Sequence, residues 1–319
     1  MTLVPSRRDR SNDRFVRPAW PWWLATAIYF TVSCLMHLQF SLWLVRPRES
    51  PWGRYALSDF VPEAAALGAL LLVVVVAWQL RRSPSPRKLA GLWLMLATAA
   101  WAIDRWLTYS ANEYFHYPQY ALLAWLIARL LDPRRERWVP GRVLFWTSLL
   151  GAIDELLQYL WITTSYSHYV DFNDVLVNLV AGAAGVLLYY GAAQTPAAAT
   201  VRPWLAGPEP KAGMILMLLV ATVLASGRLQ LSPANEVGPG GFAQDLDGRR
   251  ALFLQRSAGL HGSWQAGPHR GRHYVLGPLE AVLLVAMTSV AFTGASRRLA
   301  VPVAGGTSGP FVHRGGRLH

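Results

Sequence analysis

The sequence has very little cysteine and little charge. Its 319 residues include a single cysteine, Cys34, so a disulfide framework and a redox-active cysteine pair are both excluded. Charged residues form only 15% of the chain, whereas hydrophobic residues form 53%. That balance is typical of an integral membrane protein. Cys34 lies inside an apolar run, where we expect it to pack in the core.

The charge that is present is unbalanced. The chain has 30 Lys and Arg against 18 Asp and Glu, which gives a formal net charge of +12. In a soluble chain this excess would suggest nucleic-acid binding. Here the basic residues gather between apolar runs, where they act as orientation signals for membrane insertion. We therefore expect the lipid bilayer, and no nucleic acid, as a partner.

Long apolar runs are abundant, and eight of them could cross ~30 Å of hydrocarbon. None alternates as a barrel strand does, and backbone polar groups in lipid must bond within their own segment, so each run is predicted to be an α-helix. The expected fold class is all-α, a polytopic transmembrane helical bundle of about eight spans. The runs cover residues 20–45, 61–80, 89–109, 113–131, 143–162, 174–192, 212–231 and 277–295.

The basic residues predict how this bundle lies in the membrane. With the N-terminus inside, the segments on the cytoplasmic side contain 19 Lys and Arg and those on the opposite side contain 9. Six of the nine lie in or beside one long loop, whose charge has little influence on orientation. We therefore predict a multi-pass protein with both termini in the cytoplasm.

Acids and amides interrupt the apolar runs on one side of this predicted bundle. A carboxylate at membrane depth costs roughly 2.5 to 3.5 kcal/mol on insertion, so a cluster of them is by default a functional site. In the predicted topology they converge on the outer halves of spans three to six, which predicts a polar pocket open to the extracytoplasmic side. The candidate pocket residues are Asp104, Glu113, His116, Asp154, Glu155, Gln158, His168, Asp171, Asp174 and Asn178.

Helical spacing places several of these residues on common faces. Glu155 and Gln158 are three residues apart, and Asp174 and Asn178 are four apart, so each pair projects from one side of its helix. Gln158 and Asn178 could serve only to tie helices together by hydrogen bonds. Function is favoured for Glu155 and Asp174, because a structural role could use neutral groups that insert at lower free energy.

Glu113 and His116 have the E-x-x-H spacing that places two metal ligands on one helix face, as in carboxylate-bridged metal bundles. Those bundles use two such motifs and this chain has one. A metal bound by Glu113 and His116 is therefore one of two interpretations of this spacing. The alternative is a helix start, with Asn112 as N-cap and Glu113 in the first turn. That alternative explains Glu113 and leaves His116 unexplained.

Three blocks of the sequence, residues 112–124, 151–159 and 171–185, resemble the VanZ-like family of bacterial integral membrane proteins. The order and spacing of the blocks agree with the family over residues 98–190. The most specific feature is Asp-Glu-x-x-Gln at 154–158 followed by Asp-x-x-Asp-Val-x-x-Asn at 171–178. The resemblance implies a location in the bacterial cell membrane and a link to low-level resistance to teicoplanin-type glycopeptides.

One segment departs from the family pattern. Many members have an arginine shortly before the first aspartate of the second motif, where this chain reads Ser-Tyr-Ser-His-Tyr-Val at 165–170. The resemblance therefore implies a pocket without its usual fixed cation. His168 could supply a positive charge there only when it is protonated.

Three classes of function stay open, and the sequence specifies no cofactor and no oligomeric state. The first is a binding or modulating protein for an envelope lipid, a cell-wall precursor or a partner. The second is a membrane enzyme that acts on a lipid headgroup, with Glu113 or Glu155 as general base and His116 as acid or ligand. The third is a proton-coupled small transporter. The sequence has no inverted repeat of the kind found in many transporters, and this argues against the third class.

The remaining segments surround a predicted VanZ-like core at 98–192. Residues 1–97 contain a basic tail, two spans and the start of a third. Residues 193–211 are a Pro-rich cytoplasmic linker, and 212–319 contain two further spans and a basic tail. The Gly-rich stretch 232–276 is expected to be a solvated extracytoplasmic loop, because its histidines fit no common zinc spacing. A lid over the pocket or a contact with a partner is the alternative for this stretch.

Overall fold

The computed structural model describes residues 20–51, 53–135, 137–191, 207–245 and 247–297. Of these residues, 67% are helical. A helix forms in every one of the eight predicted runs. The predicted linker at 193–211 and the basic tails at 7–17 and 297–317 lie largely outside the described residues. The helices are α1 (Trp20–Val45), α2 (Val61–Arg82), α3 (Pro86–Trp106), α4 (His116–Leu131), α5 (Pro140–Leu157), α6 (Phe172–Tyr190), α7 (Pro208–Ala225) and α8 (Pro278–Ser296).

Within the described ranges, five helices are long and apolar enough to cross a membrane: α1, α2 with the turn before it, α6, α7 and α8. The other three are shorter or more polar. Helix α4 has 16 residues, which gives a length of about 24 Å, and α5 contains Arg142, Asp154 and Glu155. The mostly helical fold is therefore confirmed, with five candidate membrane-spanning helices, whereas the count of about eight spans stays a prediction.

Helix α6 forms the centre of the bundle. It packs against α3, α4, α5 and α8, and 83% of its most apolar window is buried, against 11% for α1 and 6% for α2 and α7. The peripheral helices α1, α2 and α7 thus expose apolar side chains over most of their length. Exposed apolar surface of that extent is what a bilayer covers.

Small residues let α6 approach its neighbours closely. Gly185 lies against the backbone of Ala121 in α4, and Gly182 lies against the side chain of Thr147 in α5. Helix α8 also belongs to this packed core, because Phe292 is fully buried and the helix contacts α5 and α6. The sequence analysis had placed this span outside the predicted core at 98–192, in the C-terminal segment 212–319.

The expectation of an all-α chain is wrong for the outer segment, where residues 229–275 form short strands instead of a solvated loop. Glycines with positive φ, among them Gly240, Gly241 and Gly271, make the turns that this pairing needs. Strand β3 is parallel to β5, and the pairs β1–β2, β4–β5 and β6–β7 are antiparallel. The strands are β1 (Arg48–Ser50), β2 (Gly53–Tyr55), β3 (Leu229–Gln230), β4 (Phe242–Gln244), β5 (Arg250–Phe253), β6 (Ser263–Gly267) and β7 (Gly271–Val275).

The side chain of Asn173, at the start of α6, fastens this outer segment to the bundle. Its Nδ2 donates to the carbonyl oxygens of Leu107 and Tyr274, each at 2.8 Å, and its Oδ1 accepts from the backbone N–H of Leu276 at 2.9 Å. One amide thereby joins the end of α3, the end of β7 and the entry to α8. The strands cover the outer ends of the central helices.

Replacing Gly185 by alanine tests the close approach of α4 and α6. The added Cβ would meet the carbonyl group of Ala121 and lie 3.0 Å from its Cα, contacts that only a backbone shift can relieve. We expect destabilisation of roughly 1–3 kcal/mol, as for other overpacked cores. Thermal unfolding in detergent measures it, with Gly91→Ala as the control, since nothing lies within 4 Å of that position. Equal melting of the two variants would contradict the packing.

Candidate functional site

A cavity of about 900 Å³ lies between α1, the start of α4, the end of α5 and the start of α6. Its α1 side is mostly apolar and includes Val32, Met36 and Phe40, together with the polar His37. Its opposite side is polar. Seven of the ten predicted pocket residues line it: Glu113, His116, Glu155, Gln158, His168, Asp171 and Asp174.

Three buried side chains from three helices meet at the polar side of the cavity. His116 is the first residue of α4, Glu155 lies in the last turn of α5, and Asp174 lies in the first turn of α6. One nitrogen or oxygen from each side chain lies within 4.8 Å of the other two. The Nε2 atom of His116 is 3.6 Å from Oδ2 of Asp174. We call these three residues the His–Glu–Asp cluster.

Asn178 holds the imidazole of this cluster from behind. Its Oδ1 atom lies 2.9 Å from Nδ1 of His116, and both side chains are buried. An amide oxygen only accepts hydrogen bonds, so this contact places a ring proton on Nδ1. In the neutral ring, the lone pair of Nε2 then faces Asp174. Asn178 does not line the cavity, so it positions His116 from the interior of the bundle.

Asp154 also lies behind the cavity. Its Oδ2 atom accepts a hydrogen bond of 2.8 Å from the hydroxyl of Tyr120, and both residues are almost fully buried. Adjacent positions on α5 thus have different environments, since Asp154 pairs with α4 and Glu155 lines the cavity. Residue Gln158 begins a π-helical turn, Gln158–Ile162, and its Nε2 donates to Oε1 of Glu155 at 3.4 Å. A π turn inserted in a helix is frequent at functional sites.

Glu113 lines the cavity but is not part of the His–Glu–Asp cluster. Its carboxylate accepts hydrogen bonds from the backbone N–H groups of Tyr109 and Ser110, at 2.9 to 3.1 Å. The helix-start interpretation is therefore the one the structure shows, with Ser110 as N-cap in place of Asn112. The E-x-x-H spacing does not pair Glu113 with His116. His116 instead meets acids from α5 and α6.

Asp171 caps α6 by accepting hydrogen bonds from the backbone N–H groups of Asn173 and Asp174. Burial, and next the negative charge of Asp174, raise the pKa of Asp171 to about 7. His168 lies at the rim of the cavity with an exposed side chain, and its carbonyl oxygen accepts from the N–H of Arg256. The predicted substitute for the missing arginine is therefore outside the buried cluster.

The ionisable residues that line the cavity are mostly acidic. Four are carboxylic acids, Glu113, Glu155, Asp171 and Asp174, and neither Lys nor Arg is among the lining residues that the structure describes. Histidines are the basic groups present. One of them, His37 of α1, has its ring 5.7 Å from that of His116. An acidic, partly apolar cavity of this kind attracts cations and hydrogen-bond donors.

Asp104 is the predicted pocket residue that lies elsewhere. Its carboxylate accepts from the hydroxyl of Tyr114 and contacts His269 Nε2 at 2.8 Å and the guanidinium of Arg270. These groups fix the β6–β7 turn to the outer end of α3. The hydrogen bond of Arg270 to the Asp104 carboxylate, and next the negative charge of that carboxylate, raise the pKa of Arg270 above its ordinary value. Asp104 thus anchors the outer segment.

Sequence reasoning left several groups near the cavity out of the predicted set. His273 of β7 lines the cavity, and burial lowers its pKa. The hydroxyl of Tyr169 lies 3.2 Å from Nε2 of His273. Nothing in the local pattern indicates this contact, because the two residues are 104 positions apart. His37 was detectable as a polar residue within an apolar run.

Comparisons with protein-family models, with curated proteins and with solved structures each gave no match. The resemblance to the VanZ-like family is therefore carried by the sequence blocks alone and stays a prediction.

Removing the hydroxyl of Tyr120 tests the environment assigned to Asp154. In Tyr120→Phe, the buried carboxylate of Asp154 would lose the hydrogen bond that its Oδ2 atom accepts from Tyr120. We expect destabilisation of about 1–3 kcal/mol, measured as a lower melting temperature in detergent. Tyr166→Phe is the matched control because Tyr166 is 64% exposed. Unchanged melting of Tyr120→Phe would contradict the assignment.

Proposed function

We propose that this chain is a multi-pass protein of the bacterial cell membrane, with both termini in the cytoplasm, that binds an amphiphilic envelope molecule in the cavity. The ligand class is an envelope lipid or a lipid-linked cell-wall precursor at the outer leaflet. The observation that carries the proposal is the two-sided lining, which is mostly apolar on α1 and acidic just before α4, at the end of α5 and at the start of α6.

The apolar side suits the hydrocarbon end of such a ligand. Val32, Met36 and Phe40 all line the cavity, and each is between 42% and 52% exposed. Helix α1 as a whole is sparsely packed against the bundle. A chain that lies along α1 would cover apolar surface that the protein leaves open, at about 25 cal/mol of stabilisation for each Å² covered.

The polar side suits a headgroup that donates hydrogen bonds. With four acids and no Lys or Arg among the described lining residues, the cavity favours hydroxyl, amide or ammonium groups over a bare phosphate. The volume of about 900 Å³ accommodates a ligand of drug size or a lipid headgroup with part of its chain. Binding by hydrogen bonds to these acids requires no bond cleavage.

The family resemblance connects this binding to glycopeptide action. VanZ-like proteins are associated with teicoplanin-type resistance, and both cell-wall precursors and such lipopeptide drugs occur at the outer leaflet. In the predicted orientation the cavity opens on that side. We propose that occupation of the cavity modulates the availability of a precursor or envelope lipid there.

A membrane enzyme acting on a lipid headgroup is the second candidate, and the His–Glu–Asp cluster favours it. The backbone already engages Glu113, so Glu155 is the candidate general base and His116 the candidate acid or ligand. This alternative uses the same cavity and predicts turnover of the bound headgroup. Recovery of one intact lipid from the protein favours binding, whereas recovery of its cleaved headgroup favours catalysis.

The test expresses wild type, Glu155→Gln and Asp174→Asn in a bacterial host at matched membrane levels and measures teicoplanin susceptibility. We expect wild type to lower susceptibility and both variants to lose most of the effect, because each removes a cavity carboxylate. Asp104→Asn is the control acid, since Asp104 lies outside the cavity.

The same four proteins provide a molecular readout when lipids that copurify with them are identified by mass spectrometry. One envelope lipid class, retained by wild type and by Asp104→Asn and depleted in the two cavity variants, is the expected result. Identical lipid content and identical susceptibility in all four proteins would contradict a binding role for the cavity.

A further inference from the structure

We propose that the His–Glu–Asp cluster is a binding site for a first-row divalent metal ion, with Nε2 of His116 and the carboxylates of Glu155 and Asp174 as ligands. This inference rests on the three side chains alone and does not require a lipid in the cavity. The sequence motif pointed to Glu113 and His116, so the ligand set is a different one.

The distances fit a small ion. Ligand atoms bound to zinc at ~2.0–2.2 Å are separated from each other by about 3.4 Å in tetrahedral geometry. His116 Nε2 and Asp174 Oδ2 are 3.6 Å apart. One nitrogen or oxygen from each of the three side chains lies within 4.8 Å of the other two. A shift of up to about 1.4 Å in one carboxylate therefore completes a three-ligand site.

The cluster brings together three groups that bind cations. When His116 is neutral with its proton on Nδ1, Nε2 presents a lone pair beside two carboxylates, which are acceptors when ionised. Asp174 is 8% exposed, and its Oδ1 atom is buried without a hydrogen-bond partner among the described residues. Neither Lys nor Arg is among the described residues that line the cavity. A bound cation would supply the positive charge that these hydrogen-bond acceptors otherwise lack.

Neighbouring residues already orient the ligands as outer-shell groups do in metal sites. Asn178 accepts from Nδ1 of His116 and so directs Nε2 toward the cluster. Gln158 donates to Glu155. The cap formed by Asp171 fixes the first turn of α6, from which Asp174 projects. Each ligand is thus held by a different helix and a different neighbour.

The donor set narrows the metal. One imidazole nitrogen and two carboxylates suit Zn²⁺, Mn²⁺ or Fe²⁺, and the absence of sulfur among the three ligands disfavours Cu⁺. Three protein ligands leave coordination positions free, and Glu155, His116 and Asp174 all line the cavity. The ion would present those positions to a hydroxyl or phosphate oxygen of a cavity ligand, which lets an acidic cavity accept an anionic headgroup.

The experiment uses the purified full chain, stripped with a chelator, dialysed and titrated calorimetrically with Zn²⁺ and, in parallel, with Mn²⁺. We expect one ion per chain for at least one metal, and a higher melting temperature of wild type once that metal is added. His116→Gln, Glu155→Gln and Asp174→Asn should each weaken binding by about tenfold or more. Glu63→Gln removes an exposed acid that does not line the cavity, and this variant should bind as wild type does.

Melting of each stripped variant shows whether it is folded, and a folded variant that fails to bind supports the assignment. Stoichiometric binding of neither ion to wild type would overturn it. So would binding that survives all three ligand substitutions but disappears in Asp104→Asn, because the site would then be the Asp104–His269 contact. Lipid retention by the stripped protein is measured separately, so loss of the metal proposal and loss of the lipid proposal are distinguishable.

Discussion

A polar side chain buried in the centre of a membrane bundle needs a partner, and α6 carries two such side chains on one face. Asp174 and Asn178 are separated by one helical turn and both are buried. His116 meets both of them, through Nε2 and Nδ1 respectively. That requirement sets the position of the start of α4 against α6, and glycine at position 185 permits the contact. The cavity lies where this polar face ends and α1 begins.

Much of the helical framework could be predicted from the sequence, because each helix coincides with a local apolar run. The location of the acids on one side was also predictable, and seven of the ten named residues line one cavity. The helix start at 110–115 could have been predicted better, since Ser110 and Glu113 have the spacing of a capping box. The choice of Asn112 as N-cap overlooked that spacing.

The strands and the partners of the acids were not predictable in the same way. Asn173 bonds to Leu107, Tyr274 and Leu276, at separations of 66 to 103 positions. Asp104 bonds to Arg270, 166 positions away. Hydrophobic periodicity indicates which face of its own helix or strand a residue occupies, and it carries no information on partners far away in the sequence. Contacts over such separations therefore leave no local pattern. The short strands in residues 229–275 also depend on turns made by glycines with positive φ. From composition alone, such a glycine-rich segment is predicted to be a loop.

The cavity combines features that rarely serve stability alone. A buried imidazole, two buried carboxylates and an unpaired carboxylate oxygen each raise the free energy of the folded state unless something binds there. Hydrophobic residues at these positions would form an adequate core for the same helices. This cost is the basis of our proposals that the cavity accepts an amphiphile and that the His–Glu–Asp cluster accepts a cation.

X-ray absorption at the zinc edge of the zinc-loaded full chain tests most directly whether His116, Glu155 and Asp174 form one site. The account predicts a first shell of nitrogen and oxygen only, at about 2.0–2.2 Å, with outer-shell scattering from a single imidazole. Sulfur at about 2.3 Å would implicate Cys34. Scattering from two or more imidazoles would place the ion among other histidines of the chain. Either result would contradict the account.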